Sequence, residues 1–395
     1  MDILRVDRGR PVGFRAPVPD VLIFADSVRS PEMRHEVPVV VPDEFLYVEQ
    51  NGKRITVSTS FEMDRIAELG IETRPWEDFG YDEMLIDGVP RHEVVWQHLN
   101  LNACRDLGIT KAVVPGTFPL EVADHLRANG VDVQPDHDFF AKRRRVKNEA
   151  ELAGIRRAQR AAEAGMSAAR DLLHRAEPSD GVVLLDGEPL TCERVKAAIR
   201  QAFSDHNVSG EDFIVSHGPQ TAIGHELGSG PIAPNEPVVI DLWPKDPESA
   251  CYADMTRTYV VGEPPEEVAT YHRLCKEALE RSLENTKAGV AGFDVYKLVC
   301  DFFEENGQKT SLSKAPGEVL DNGFFHGLGH GVGLEVHEEP GLGRGSRSEL
   351  VAGDVVTLEP GLYRPGFGGC RLEDLVRVTD DGAENLTDFP YDLTP

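Results

Sequence analysis

Short apolar runs punctuated by turn signals fill the first third of the chain. The run VLIF, Val21–Phe24, has the continuous apolar character of a buried strand. FLYVE and RITVS flank Gln50-Asn51-Gly52-Lys53. Asn-Gly between two such runs is a strong hairpin signal. KAVV, Lys111–Val114, predicts a further strand. A helix-period segment with Leu120, Val122, Ala123 and Leu126 follows and stops at Gly130, and a strand from Val131 completes a βαβ unit.

The pattern changes after Arg143-Arg144-Arg145. A stretch rich in Ala, Glu and Arg, from about Asn148 to His174, predicts a long helix. The basic run before it reads as a solvated or interdomain salt-bridging face rather than an anionic ligand site. It marks a domain boundary near residue 143, giving a small α/β domain over 1–143 and a second domain over 144–395. The second domain holds two halves of like order. Helices near 148–174 and 191–204 precede strands around 238–260; helices near 265–287 and 294–305 precede strands around 330–378. The halves share no sequence identity, so any duplication is structural only.

Composition narrows the function classes. With 395 residues, 40% hydrophobic and 28% charged, the chain is globular rather than disordered. Its 41 basic and 68 acidic side chains leave a net charge of -27, which repels phosphate backbones and anionic lipid. Neither nucleic acid nor a membrane is therefore an expected partner. No stretch of 18 apolar residues is present to span a bilayer, and MDILRVDRGRPVGF carries charges where a signal peptide needs its apolar centre. The six cysteines (Cys104, Cys192, Cys251, Cys275, Cys300, Cys370) form no C-x-x-C pair. That argues against a zinc ribbon or a disulfide framework and for a reducing, cytoplasmic location.

Candidate chemistry begins with acidic residues at strand ends. Asp241 closes the apolar run PVVI, and Asp254 follows after twelve intervening residues. A hairpin would bring the two carboxylates together, with Tyr252, Asp254, Thr256 and Thr258 on one strand face. A buried carboxylate needs a partner, and a metal ion is one. Alone, the pair reads more simply as two turn-flanking aspartates. The segment FHGLGHGVGLEVHE changes that balance by adding His326, His330 and His337 among glycines. Those glycines exclude a helix interior and suggest backbone packed closely around a site. Imidazole suits a transition-metal ligand or a proton carrier. Glu359 follows the apolar strand of VVTLEPGLY. In CRLEDLVRV the alternation puts Arg371, Glu373 and Leu375 on one face and turns Asp374 away. One His and four carboxylates form an oxygen-rich set whose charge matches two divalent cations; manganese or cobalt fits it, and zinc or iron is admissible.

The ordered series GHELGSG, IDLWPKDPESACYADMTRTY, FHGLGHGVGLEVHE, TLEPGLY and CRLEDLVRV spans about 225 to 378. It resembles the dinuclear metallopeptidases of the pita-bread fold, and within them the Xaa-Pro branch of prolidase and aminopeptidase P. RRRVKNEAELAGIRRA and the N-terminal domain resemble the same branch. The resemblance implies an α/β (α+β) chain, with a creatinase-type N-terminal domain and a pita-bread catalytic domain of pseudo-twofold halves. It implies metal ligation by Asp241, Asp254, His330, Glu359 and Glu373, with Asp254 and Glu373 bridging two ions and Glu359 also acting on the attacking water. His225 and His337 become substrate-side histidines that steady the scissile peptide and the oxyanion. His326 lines the site, and Arg371 braces Glu373. The implied reaction is hydrolysis of the Xaa-Pro bond in short proline-containing peptides, with two divalent ions, manganese foremost, in a cytoplasmic homodimer. Arg344 and Arg347, in EEPGLGRGSRSEL, are candidates to bind the free carboxylate of a dipeptide, which leans the reading towards a dipeptidase. The family's two aspartates are commonly ten residues apart, so the longer loop LWPKDPESACYA needs a conformation of its own.

Other hydrolase classes fare worse. HELGS at His225 and HEVVWQH at His92 lack the second His four residues on that a zincin helix needs. No G-x-S-x-G elbow is present. The remaining alternatives are an Xaa-Pro aminopeptidase acting on longer peptides and a non-peptidase on the same scaffold, either a creatinase-like hydrolase, a lyase-type relative or a binding module. The full ligand set argues against the non-peptidases.

Overall fold

A computed structural model describes residues 19–395; the amino-terminal segment weighed above as a signal peptide lies outside the described residues. The chain forms two compact units. One comprises residues up to Met33 with Val39–His137, the other Arg34–Pro38 with Asp138–Pro395. The change from one to the other after His137 falls at the start of the helix His137–Arg145, the helix that also carries residue 143.

The first unit is built on a six-stranded sheet. Its strands are β1 (Val21–Ala25), β2 (Phe45–Gln50), β3 (Lys53–Ser58), β4 (Glu72–Pro75), β5 (Lys111–Val114) and β6 (Asp132–Pro135), in the order β4-β3-β2-β1-β5-β6. The hairpin that the Asn-Gly pair predicts joins β2 and β3 at Gln50 and Lys53, with Asn51 and Gly52 at φ of 52° and 78°. Strand β5, the helix Leu120–Ala128 and β6, which pairs parallel with β5, form the βαβ unit. Leu22, Phe24, Leu46, Val48 and Val133 are buried against Val94, Val122 and Leu126 of the flanking helices.

The second unit opens with the helix Glu149–Arg175. Its start is fixed by a capping box. The Asn148 side chain accepts from the Glu151 N–H, and the Glu151 carboxylate accepts from the Asn148 N–H, both at 2.9 Å. One stripe of this helix (Ala161, Ala162, Met166, Ala169, Leu173) is fully buried with Val195, Ile199 and Phe203 of the helix Cys192–Asp205. Between the two helices lies a small sheet of β7 (Glu177–Pro178), β8 (Val183–Leu185) and β9 (Glu188–Pro189). Three antiparallel strands follow, β10 (Ile214–His217), β11 (Pro237–Leu242) and β12 (Met255–Val260). The second half repeats the order. After the helices Glu266–Asn285 and Gly292–Glu305 come β13 (Gly329–Gly331), β14 (Glu338–Leu342), β15 (Val355–Leu358), β16 (Gly361–Arg364), β17 (Gly368–Arg371), β18 (Asp374–Val378) and β19 (Ala383–Asn385). Strands β16 and β17 pair as a separate hairpin, and the others form a sheet in the order β14-β13-β15-β18-β19.

The basic run is neither solvated nor free to hold an anion. Arg143 meets Glu36, Arg144 meets Glu335 and Arg145 meets Asp354, each at 2.6 Å and each inside the second unit. All six cysteines are buried and unpaired. Burial pushes the thiols of Cys104, Cys192 and Cys251 up to about 12. Among the described residues no helix is long and apolar enough to cross a membrane.

Candidate metal centre

Strand register assembles the site. Asp241, near the end of β11, lies opposite Thr256 of β12. Asp254 sits two residues before Thr256 and so shares its face. Thr256 pairs in turn with Glu373 across an isolated bridge. Leu358 of β15 lies opposite Asp374 of β18, so the next residue out along β15, Glu359, comes beside Glu373. His330 arrives on β13. A Cβ on Gly329 would lie 1.9 Å from the Thr357 carbonyl oxygen, so only glycine lets β13 come this close to β15. The His330 backbone N–H then donates to the Thr357 hydroxyl at 3.1 Å.

These side chains line one cavity of about 970 Å³. Asp241, Asp254, His330, Glu359 and Glu373 share it with His225, His326, His337 and Arg371, and Ile223, Trp243, Phe325 and Val336 give it apolar walls. Arg344 and Arg347 are not brought into it. Both are exposed, and the Arg347 guanidinium lies 3.5 Å from the centre of the Phe293 ring. The chain just before them does approach the site, Leu342 pairing with Gly329 across β13 and β14, but neither arginine side chain lines the cavity.

The site is electrostatically unstable on its own. Burial, and then the charges of Glu373, Asp241 and Glu359, hold the Asp254 carboxyl well above the usual range. Burial with Asp241 and Glu359 does the same to Glu373. Burial pushes Glu359 up to about 8, opposed by Arg371 and helped by Asp241. The His330 imidazole is pushed down to about 4 by burial and by His337, which keeps it neutral.

Divalent cations would answer each of these strains. Asp241 Oδ1 is buried without a hydrogen-bond partner. The Nδ1 of His330 faces the Gly331 carbonyl at 3.1 Å, which places the proton there and leaves Nε2 bare, 3.6 Å from Glu359 and 3.9 Å from Asp254. One ligand atom each from Asp254, His330 and Glu373 lies within 4.8 Å of the others. An orphaned carboxylate oxygen, a bare imidazole nitrogen and mutually repelling acids fit a metal site, and the donors are mostly hard oxygens.

One expected contact changes. Arg371 does not brace Glu373 directly. It donates to Asp241 Oδ2 at 2.6 Å, to the Tyr363 hydroxyl at 2.9 Å and to the Thr256 hydroxyl at 3.3 Å. The Thr256 hydroxyl in turn donates to Glu373 at 2.6 Å, so Arg371 reaches Glu373 through a threonine. His326 lines the cavity, yet both its nitrogens are engaged. Nδ1 donates to the Gly327 carbonyl at 2.7 Å, and Nε2 accepts from the Tyr363 hydroxyl at 2.9 Å. It lines the cavity and holds Tyr363. Tyr363 was not singled out from sequence, although it ends the motif TLEPGLY; Trp243, two residues past Asp241, was not either.

The long loop is ordered. Asp246 receives both Nε and Nη2 of Arg157 at 2.9 and 2.8 Å, and Lys245 bridges Ser209 and Tyr252. The extra residues are thus clamped onto the helix Glu149–Arg175, and both strand motifs keep their register.

Comparison with known proteins agrees with this geometry. The model of metallopeptidase family M24 matches residues 153–380, more than half of the chain. The probable dipeptidase PepE of Mycobacterium bovis is 31% identical over 338 residues, covering 83% of this chain and 77% of that protein. The Xaa-Pro dipeptidase of Pyrococcus horikoshii is 30% identical over 293 residues, covering 72% and 75%. Among solved structures, the Xaa-Pro dipeptidase from Bacillus anthracis superposes with a TM-score of 0.75 at 23% identity, over 95% of this chain and 94% of that one, a likeness of fold. With its sheets and helices in the pita-bread arrangement and its acidic, histidine-bearing cavity, the chain belongs to metallopeptidase family M24.

Proposed function

We propose that this enzyme is an Xaa-Pro dipeptidase that holds two divalent ions, manganese foremost, on Asp241, Asp254, His330, Glu359 and Glu373, in a cytoplasmic homodimer. The first unit is its creatinase-type domain and the second its catalytic domain. The observation that carries the reading is the cavity itself, where four carboxylates and a bare imidazole nitrogen converge under apolar walls. Bound there, divalent ions supply Lewis-acid charge and a water acidic enough to act near neutral pH.

The chain's own residues do the rest. Glu359 takes the proton of the attacking water and passes it to the leaving nitrogen. His337 and His225, on the substrate side, donate to the carbonyl oxygen as it gains charge; burial, with His225 beside it, holds His337 low and so neutral, with one N–H to give. The Arg371–Asp241 ion pair fixes one carboxylate while leaving Oδ1 free for a ligand. Proline's nitrogen has no N–H to recognise, so the walls of Trp243, Phe325, Val336 and Ile223 supply shape instead.

The test is a peptide panel with and without metal. Free Xaa-Pro dipeptides should be cleaved with added manganese, not after exhaustive chelation, and faster than their C-terminally amidated forms. Full activity in metal-stripped protein would defeat the metal reading. Equal rates on free and amidated dipeptides, with good cleavage of longer Xaa-Pro peptides, would make the enzyme an aminopeptidase.

A further inference from the structure

The Arg143–Lys147 segment has a use that its charge alone does not reveal. Lys147 forms an ion pair with Glu338 in which the side chains are only 4% and 2% exposed. Lys147 Nζ also donates to the Arg144 carbonyl at 2.8 Å. The pair lies against Gly333, where a Cβ would come within 2.6 Å of Lys147 Nζ and 2.7 Å of Glu338 Oε1. Glu338 immediately follows His337. On the other side of His337, Glu335 is held by Arg144 at 2.6 Å. The His337 ring itself lies against His330, centroids 4.2 Å apart and planes tilted by 58°. A short stretch bearing one site histidine is thus tied at both ends to two cations three residues apart, just before the capped start of a long helix.

Burying an ion pair is a poor way to gain stability, since desolvation offsets most of the attraction. Glu338 Oε2 makes the cost plainer, being buried without a partner. A directional contact is what such a pair gives in return.

We infer that Lys147 and Glu338 are positioning residues for His337, fixing its backbone so that its ring meets the substrate carbonyl. The inference rests on the proposed role of His337. Lys147 does not itself line the cavity, and its partner Glu338 adjoins His337, so Lys147 acts on the site through this loop.

A double-mutant cycle on manganese-loaded protein tests this, with Ala-Pro as substrate. Lys147→Met should lower kcat by roughly 10–10²-fold, the cost of an ångström-scale misplacement, with KM and metal content nearly unchanged. Lys147→Arg should recover part of the loss. In a His337→Ala background, Lys147→Met should cost less than about twofold, because interacting residues are not additive. Hydrogen exchange of the metal-free protein should quicken in 333–338 and not elsewhere. Additive losses, lost metal, or unchanged exchange in that segment would overturn the inference. If Lys147→Met does not fold, Glu338→Gln, which keeps the side chain's shape, carries the same cycle. Failure of the wild-type enzyme to cleave Ala-Pro would instead defeat the proposed substrate, and a harmless His337→Ala would defeat the proposed role of that histidine; the exchange measurement still decides whether Lys147 anchors the loop.

Discussion

Glu359→Gln should lower kcat on Xaa-Pro dipeptides by more than the ~10²–10⁴-fold that loss of a general base alone costs. The proposed Glu359 does two things at once, since it carries a proton and completes the donor set beside His330, 3.6 Å away. Gln keeps the shape and loses both. The same substitution should leave the metal-free protein as stable as the parent or slightly more so, because it removes one of the acids that raise Asp254 and Glu373 by repulsion. Turnover, metal content and the urea midpoint of unfolding together check it. A loss below tenfold with metal retained would rule out Glu359 as the proton acceptor.

Asp374→Asn should do the reverse. Its effect should fall on stability, about 3–5 kcal/mol, the usual cost of leaving a buried charge unpaired. Asp374 Oδ1 accepts from Arg257 Nη2 at 2.9 Å, and the two side chains are 0% and 1% exposed. Its other oxygen accepts from Asn385 at 2.7 Å and from the Tyr391 hydroxyl. Arg257 also donates to the carbonyls of Thr256, Glu373, Phe389 and Pro390, so the pair ties the C-terminal segment to the strands that carry the site. The urea midpoint should fall while kcat of the still-folded protein at low temperature stays within a few-fold. An unchanged midpoint would show that Arg257 finds a substitute partner.

The contrast between Glu359 and Asp374 shows what a sequence can and cannot convey. Strand alternation was enough to tell Glu373 from Asp374, because side chains two apart must share a face. It could not tell that the face turned from the site is turned into a second buried polar cluster rather than into water. The Asn51-Gly52 turn and the long helix were legible because their signals are local. The contacts that were not legible join residues far apart in sequence. Thr256 to Glu373 spans 117 positions, Arg371 to Asp241 spans 130, and Lys147 to Glu338 spans 191. Such pairs follow from strand register and helix docking, which periodicity does not encode. The same limit explains why Arg344 and Arg347, close in sequence to the His motif, stand outside the cavity, and why Tyr363 went unnoticed within a motif that contained it.

The buried cysteines give the protein an internal clock. A thiol must be both exposed and ionised to react, and burial here denies both conditions to Cys104, Cys192 and Cys251. Alkylation under native conditions therefore has to wait for the chain to open, and its rate reports how often that happens. Cys104 belongs to the first unit and the other five to the second. Peptide mapping of a slow alkylation would then time the breathing of each unit separately, with no label added and no residue changed.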